Sequence, residues 1–258
     1  KHPNPKEIYA DKLTEEGMID AQFTKQLEKE FKDVLEMRFD ESKKIERNTI
    51  RYFMEEEWKA YRASEEEDFD QSPETGFPKE ELRKIAHTIT ELPEDKKFFN
   101  KIKKLMKDRR AMVEDRNALD WGMAELMAYG TIISDGYNVR LSGEDSERGT
   151  FSHRHAVIKV EDSEEEQILL NNIPGREGRF AIYNSHLSEY GVMGFDYGYS
   201  MTDPETLVIW EAQFGDFFNG GQIIVDQFIS AAEDKWKVQS GLVLYLPHGY
   251  EGQGAEHS

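Results

Sequence analysis

Apolar positions recur at helical spacing through the first part of the chain. Phe23, Leu27, Phe31, Val34 and Leu35 share one helix face, and Ile45, Ile50, Phe53 and Trp58 continue the period. Asp20 stands where it can cap the first long helix. The stretch from Ser72 to Pro78 reads as a loop by its Pro and Gly content, after which Pro78 starts a helix through Leu82, Ile85 and Ile89. A further helix is expected from Asp95 to Lys107, with Phe98, Phe99, Ile102, Leu105 and Met106 facing inward. Glutamate runs such as Glu55–Glu57 and Glu65–Glu67 lie beside these helices, and glycine is nearly absent. Residues 1–110 therefore predict a helical linking segment, either a solvated spacer or a docking element.

The pattern changes from about Met112, where glycines become frequent and apolar runs shorten. A helix is expected over Asn117–Ser134, with Asp120 in its first turn and Gly136 as its C-cap. Strands are expected at Tyr137–Leu141, Phe180–Tyr183, Leu207–Trp210 and Leu242–Leu246, with helices at about Leu187–Met201 and Phe218–Ile229. Continuous apolar strands alternating with helices predict an α/β domain over 111–258, a mainly parallel sheet flanked by helices. Ligands of such sheets bind beyond the carboxyl ends of the strands. The loops to search are therefore 142–155, 184–189, 211–219 and 247–258.

Composition narrows the function. The formal net charge of −19 argues against nonspecific binding to nucleic acid or to an anionic membrane surface. The chain has no cysteine, which excludes a disulfide framework, a thiolate zinc site and a Cys nucleophile, and fits a cytoplasmic setting. No apolar run reaches membrane-spanning length, and the polar start is not a signal peptide. Both ends read as cuts through a longer protein.

The searched loops concentrate reactive groups: His153, Arg154 and His155; His186 and Glu189; Glu211, Phe214, Asp216 and Phe217; His248, Glu251, Glu256 and His257. The His153-x-His155 pair has the chemistry of a metal ligand set but no clear third partner, so no metal site is expected in this chain. Neither a nucleophile elbow nor a phosphate-binding glycine loop is present. Gly191, Gly194 and Gly198 fall inside an expected helix, where they favour close helix packing.

Four segments carry a resemblance: RLSGEDSERGTFSHRHAV, YNSHLSEYGVMGFDYGYS, LVIWEAQFGDFFNGGQIIVDQFISAAEDKW and LVLYLPHGYEGQGAEHS. In order and spacing they resemble the decarboxylase component of the 2-oxoglutarate dehydrogenases, a thiamine-diphosphate-dependent, transketolase-like family. The resemblance covers nearly all of the chain from Asp120 to Ser258, and the start, KHPNPKEIY, is similar to the family's passage into helices. It implies a pyrimidine-binding domain that meets a diphosphate-binding domain across a homodimer interface. The family's magnesium motif is absent here, since Asp135-Gly136 lacks its context, so Mg²⁺ ligands are expected outside this chain.

By the match to LSEYG, Glu189 resembles the glutamate that hydrogen-bonds the aminopyrimidine ring nitrogen. Protonating that nitrogen favours the imino form of the cofactor, which can take the proton from the thiazolium carbon. A carboxylate in a partly dry site suits this exchange. The resemblance implies an aromatic wall for the pyrimidine here, from Phe214 or Phe217, the alternative being that both rings are core. His257 resembles the histidine that faces the substrate, and His248 is a second candidate for that task. The family usually has an apolar residue where this chain has His186. The implied reaction is decarboxylation of 2-oxoglutarate and transfer of the succinyl group to the lipoyl domain of the dihydrolipoyl succinyltransferase component. The alternatives are a non-catalytic dimerisation and docking fragment, or a stand-alone 2-oxoglutarate decarboxylase.

Overall fold

The computed structural model describes residues 2–20, 22–45 and 50–249. The chain divides into two compact units, 1–51 and 52–258.

The first unit holds helices α1 (Pro5–Glu15) and α2 (Phe23–Ser42). Asn4 caps α1: its side chain accepts from the Lys6 amide at 3.0 Å, and its own amide donates to Glu7 at 3.2 Å. The Asp20 carboxylate accepts from the Gln22 and Phe23 amides at 2.8 and 2.7 Å, so the expected acid does serve the start of α2. Lys6 of α1 pairs with Glu28 of α2. Neither helix buries a residue, and the apolar stripe of α2 stays exposed. The expected continuation through Ile50 and Phe53 is not helical; only a short turn, α3 (Glu55–Trp58), forms. Residues 46–49 lie outside the described residues.

The second unit is built on a four-stranded parallel sheet in the order β4-β1-β5-β6. The strands are β1 (Asn138–Gly143), β4 (Phe180–Asn184), β5 (Thr206–Glu211) and β6 (Val243–Tyr245). Leu141 of β1 sits level with Ile182 on one side and Ile209 on the other. A small antiparallel pair, β2 (Ile158–Lys159) and β3 (Glu166–Gln167), lies between β1 and β4 in the chain.

The period of two in β5 sorts its residues between two layers. Leu207 and Ile209 face the core shared with α4 (Lys79–Thr88) and α6 (Trp121–Ser134). Trp210 belongs to the other core, with Met193 and Tyr197 of α7 (Glu189–Thr202), Ile224 of α8 (Gln222–Ile224) and Ala232 of α9 (Ala232–Trp236). Ile85 and Ile89, expected inward, are buried against α6 residues such as Met123 and Ile133. The parallel sheet covered on both faces agrees with the expected fold class, and the helices around Ile85 and Met106 belong to the same compact unit.

Three local expectations shift. The helix expected from Asp95 begins at Asn100 as α5 (Asn100–Ala111), and Phe99 is 49% exposed while Phe98 is buried. Helix α6 begins at Trp121, because Asp120 is its N-cap and accepts from the Met123 amide at 2.7 Å. The single helix expected over Phe218–Ile229 is instead a tight turn at Gly215–Gly221, one α turn and a widened turn at Val225–Ile229. Gly220 and Gly221 lie close against α7, where a Cβ would stand 3.2 Å from the Glu189 carboxylate or 2.5 Å from the Met193 methyl.

A buried polar tie fastens α7 to β1. Ser142 donates to Asp196 at 2.5 Å, and Arg140 pairs with the same carboxylate. The Arg140 guanidinium also lies over the rings of Tyr183, Phe195 and Tyr199, at 5.5, 5.2 and 4.9 Å. No helix among the described residues is long and apolar enough to cross a membrane.

Candidate active site

Beyond the carboxyl ends of β1, β4 and β5 lies a small depression. Its wall comes from three loops: Glu144 after β1; Ser185, His186, Ser188 and Glu189 after β4; Trp210, Glu211 and Gln213 at the end of β5. This is where an open parallel sheet binds ligands.

Glu189 is the first residue of α7 and is half-buried. Ser188 caps the helix, its hydroxyl accepting from the Gly191 amide at 3.1 Å. The carboxylate therefore stands at the positive end of the helix. His186 is exposed on the rim, and its carbonyl accepts from the Ser188 amide at 2.9 Å.

The loop of residues 144–155 after β1 is strained and firmly held. Asp145, Ser152 and His155 all adopt left-handed φ, at 62°, 55° and 46°. The amides of Arg154 and His155 both donate to the Arg148 carbonyl at 3.0 Å. From α5, Arg109 donates to the carbonyls of His153 and Arg154, each at 2.7 Å. Gly122 lets α6 approach here, because a Cβ would lie 2.1 Å from the His153 carbonyl oxygen. Burial pushes both His153 and His155 below the usual imidazole range; the Arg154 charge adds to this for His153, and Arg109 for His155.

At the centre of this arrangement Arg154 is fully buried. Its Nε donates to Glu125 Oε1 at 2.5 Å, and its Nη1 donates to the Ser146 carbonyl at 2.7 Å and to Glu211 Oε1 at 2.8 Å. Nη2 reaches Glu125 Oε2 at 3.3 Å and closes the bidentate pair with Glu211. A guanidinium has five N–H donors, and all are used. Tyr129 donates to the same Glu125 at 2.9 Å and lies 3.3 Å from the Tyr245 hydroxyl.

Phe214 and Phe217 do not line the depression around Glu189 but belong to a chain of ring contacts. Phe217 meets Phe214 edge-on at 5.5 Å, and Phe214 meets Phe151 edge-on at 5.9 Å. The loop bearing the first two is tied to the last strand, since the Gly215 amide donates to the Pro247 carbonyl at 2.8 Å. His248 follows directly and is exposed; it does not line the depression around Glu189. His257, Glu251 and Glu256 lie outside the described residues.

Gly220, in the turn that carries Phe217, packs directly against Glu189: a Cβ there would stand 3.2 Å from its carboxylate. Among the described residues no group of three or more His, Asp and Glu stands where it can hold a metal ion. A larger, apolar cavity of about 490 Å³ is lined by Tyr197, Met201, Phe228 and Trp236, among others, and by no carboxylate or imidazole.

Glu144 was not singled out from the sequence. Burial holds its carboxyl above the usual carboxylate range, and the charges of Glu189 and Asp145 push it further in that direction. The folded chain therefore takes up this proton before the unfolded chain does. The ionised group disfavours folding above its folded-state pKa, and the penalty fades as pH falls through that value. Glu144→Gln should raise the midpoint of thermal unfolding at pH 7 by on the order of 1–3 °C and leave it unchanged near pH 3.5. An equal shift at both pH values, or a drop at pH 7, would remove the repulsion from this account.

The comparisons follow the same lines. Residues 117–258 match the family model described as "Transketolase, pyrimidine binding domain". The whole chain is 43% identical to the 2-oxoglutarate dehydrogenase E1 component of Haemophilus influenzae and covers 27% of that protein. It is 42% identical to the mitochondrial 2-oxoglutarate dehydrogenase of Saccharomyces cerevisiae, with 98% of the chain aligned to 25% of the relative. The Bacillus licheniformis E1 component gives 42% identity over the whole chain and 27% of its own length. The chain thus spans about a quarter of the length of the curated relatives it matches. With the model matching more than half of the chain, on a parallel sheet whose carboxyl edge carries Glu189, the chain belongs to the transketolase pyrimidine-binding domain family.

Proposed function

We propose that this chain is the pyrimidine-binding part of a thiamine-diphosphate-dependent 2-oxoglutarate dehydrogenase component. The whole protein would decarboxylate 2-oxoglutarate and pass the succinyl group to the lipoyl domain of its succinyltransferase partner. The observation that carries this reading is the place of Glu189: first residue of α7, half-buried, beyond the carboxyl edge of the sheet, with Gly220 close against it. Relatives aligned over 98% or more of the chain bear the name of this enzyme.

Bound thiamine diphosphate supplies the electron sink for loss of carbon dioxide. Glu189 holds and returns a proton at the pyrimidine ring nitrogen. Phe214 and Phe217 present an apolar wall to the ring. His248 and His257 serve the substrate side, as donors to the oxyanion or to the distal carboxylate. Mg²⁺ is held by residues outside this chain. A homodimer is the assembly we favour, and the exposed aromatic face of α7, with Phe195 61% and Tyr199 40% exposed, supports it. A cytoplasmic setting suits the cysteine-free composition.

The test is reconstitution of the full-length protein that carries this chain. Stripped of cofactor, it should release no carbon dioxide from 2-oxoglutarate. Thiamine diphosphate and Mg²⁺ added together should restore turnover, and neither alone should. Turnover that survives stripping, or that prefers pyruvate, would overturn the reading. The exposed stripe of Phe23, Leu27 and Phe31 on α2 favours a second role, docking, for residues 1–51.

A further inference from the structure

The second half of α7 helps to form the larger, apolar cavity. Its wall comes from Gly194, Tyr197 and Met201 of α7, Phe228 of the turn at Val225–Ile229, Trp236 of α9, and Phe53 from the segment ahead of α3. The segment bearing Phe53 is fastened to α7, since the Trp58 indole N–H donates to the Met201 carbonyl at 2.7 Å. At about 490 Å³ the cavity falls within the range of small-molecule pockets. Tyr197 and Met201 stand about 12 and 18 Å along the helix axis from Glu189, so this cavity is separate from the depression at the sheet edge.

One group in the wall is left without a partner. Tyr197 is 4% exposed, and its hydroxyl is buried with no hydrogen bond among the described residues. Burial pushes this hydroxyl above the usual phenol range, so it stays a donor. A buried donor left unmade is costly, and native folds keep few. Phenylalanine would fill the same space without that cost. Water does not answer it, because an ordered water needs about two to four polar partners and the other lining side chains are Phe, Met, Ile and Trp. Charge narrows the choice of ligand. The Lys235 ammonium already lies over the rings of Phe228 and Trp236, 5.8 Å from each centroid, and repels a second cation there. Glu233 and Asp234 precede it in α9, and the chain carries −19, so an anion is disfavoured as well. A concave wall assembled from separate elements suits a small molecule.

We propose that this cavity binds a neutral aromatic small molecule carrying a single hydrogen-bond acceptor, with the Tyr197 hydroxyl as the donor to it. The phenylalanine, methionine and tryptophan side chains supply the apolar fit, and the hydroxyl fixes the orientation. The site uses neither Glu189 nor the cofactor, so it holds whether or not the function proposed above does.

The experiment titrates acetophenone and ethylbenzene by calorimetry into the full-length protein that carries this chain. The two probes are alike in size and shape, and only the ketone has an acceptor. Acetophenone should bind with a dissociation constant below roughly 1 mM. Ethylbenzene should bind about 3- to 10-fold more weakly, the worth of one hydrogen bond. Tyr197→Phe should unfold at a temperature no lower than the parent, because the hydroxyl has no partner to lose, and should bind the two probes alike. Phe53→Ala changes a residue that is 56% exposed, so the fold should stand while both probes bind about 2- to 10-fold more weakly. No binding of either probe, as when another part of the full-length protein fills the cavity, would overturn the inference. Equal affinities in the parent, a ketone preference that survives Tyr197→Phe, or affinities that Phe53→Ala leaves unchanged would overturn it too.

Discussion

Glu189→Gln should lower thiamine-dependent release of carbon dioxide from 2-oxoglutarate by about a hundredfold to a thousandfold, the range of a positioned acid–base group. The amide preserves volume and one acceptor but has no proton to exchange. Glu189 is half-buried at the start of α7, and its neighbour Ser188, not Glu189, caps the helix. The fold and the helix start should therefore survive, and the midpoint of thermal unfolding should move little. Cofactor affinity should fall far less than turnover, because the apolar wall remains. Measuring turnover, cofactor affinity and oligomeric state on the same preparation separates these effects. Turnover near that of the parent would take the central residue away and leave this domain as a scaffold.

Arg154→Met should be the most damaging single change to stability. It leaves Glu211 and Glu125 buried without their cation, a loss of about 3–5 kcal/mol for a broken buried pair. The midpoint of thermal unfolding should fall by on the order of 10 °C. The loss should be non-additive: Glu211→Leu in the same chain removes the stranded charge and should recover part of it. Glu125, at 18% side-chain exposure, can reach water and would bear the remaining charge more cheaply. A fall of less than ~1 kcal/mol in Arg154→Met, measured by denaturant titration, would mean that water or a rearranged side chain replaces the guanidinium.

The sheet was legible because each strand is a short apolar run bounded by turn residues, and burial of both faces leaves that pattern in one dimension. Helix α7, expected over about Leu187–Met201, forms at Glu189–Thr202. The region after Phe217 was misread for a physical reason. Gln222 to Ile229 has helical apolar spacing, but Gly220 and Gly221 serve the approach to α7, which no local period records. Among the described residues of the run from Ile45 to Trp58, only Glu55–Trp58 forms a helical turn, and Trp58 there is held by its indole N–H donating to the Met201 carbonyl at 2.7 Å.

The site divides likewise. Glu189 came from a motif, and the structure sets it at the carboxyl edge of the sheet. Glu144 was hidden because its relation to Glu189 exists only once β1 and β4 lie side by side. It is the first residue beyond β1, so the carboxyl-edge rule applied residue by residue would have reached it. Arg154 looked like one cation between two histidines. Its partners arrive from α6 and from the end of β5, and nothing near it in the chain announces them.

The strand order has a consequence for how the chain comes to be folded. β1, the earliest of the four strands to be synthesised, occupies an interior position of the sheet, while its neighbours β4 and β5 begin only at Phe180 and Thr206. Until both arrive, β1 presents two open edges of backbone donors and acceptors. Parallel pairing across such separations forms slowly, because loop closure precedes any gain from contact. Helix α6 ends just before β1 and can pack on it early, hiding one face of Leu141 but neither edge. The nascent domain is therefore most prone to wrong pairing while the ribosome is still adding the segment between Gly143 and Glu211, and that interval is where a chaperone would matter most.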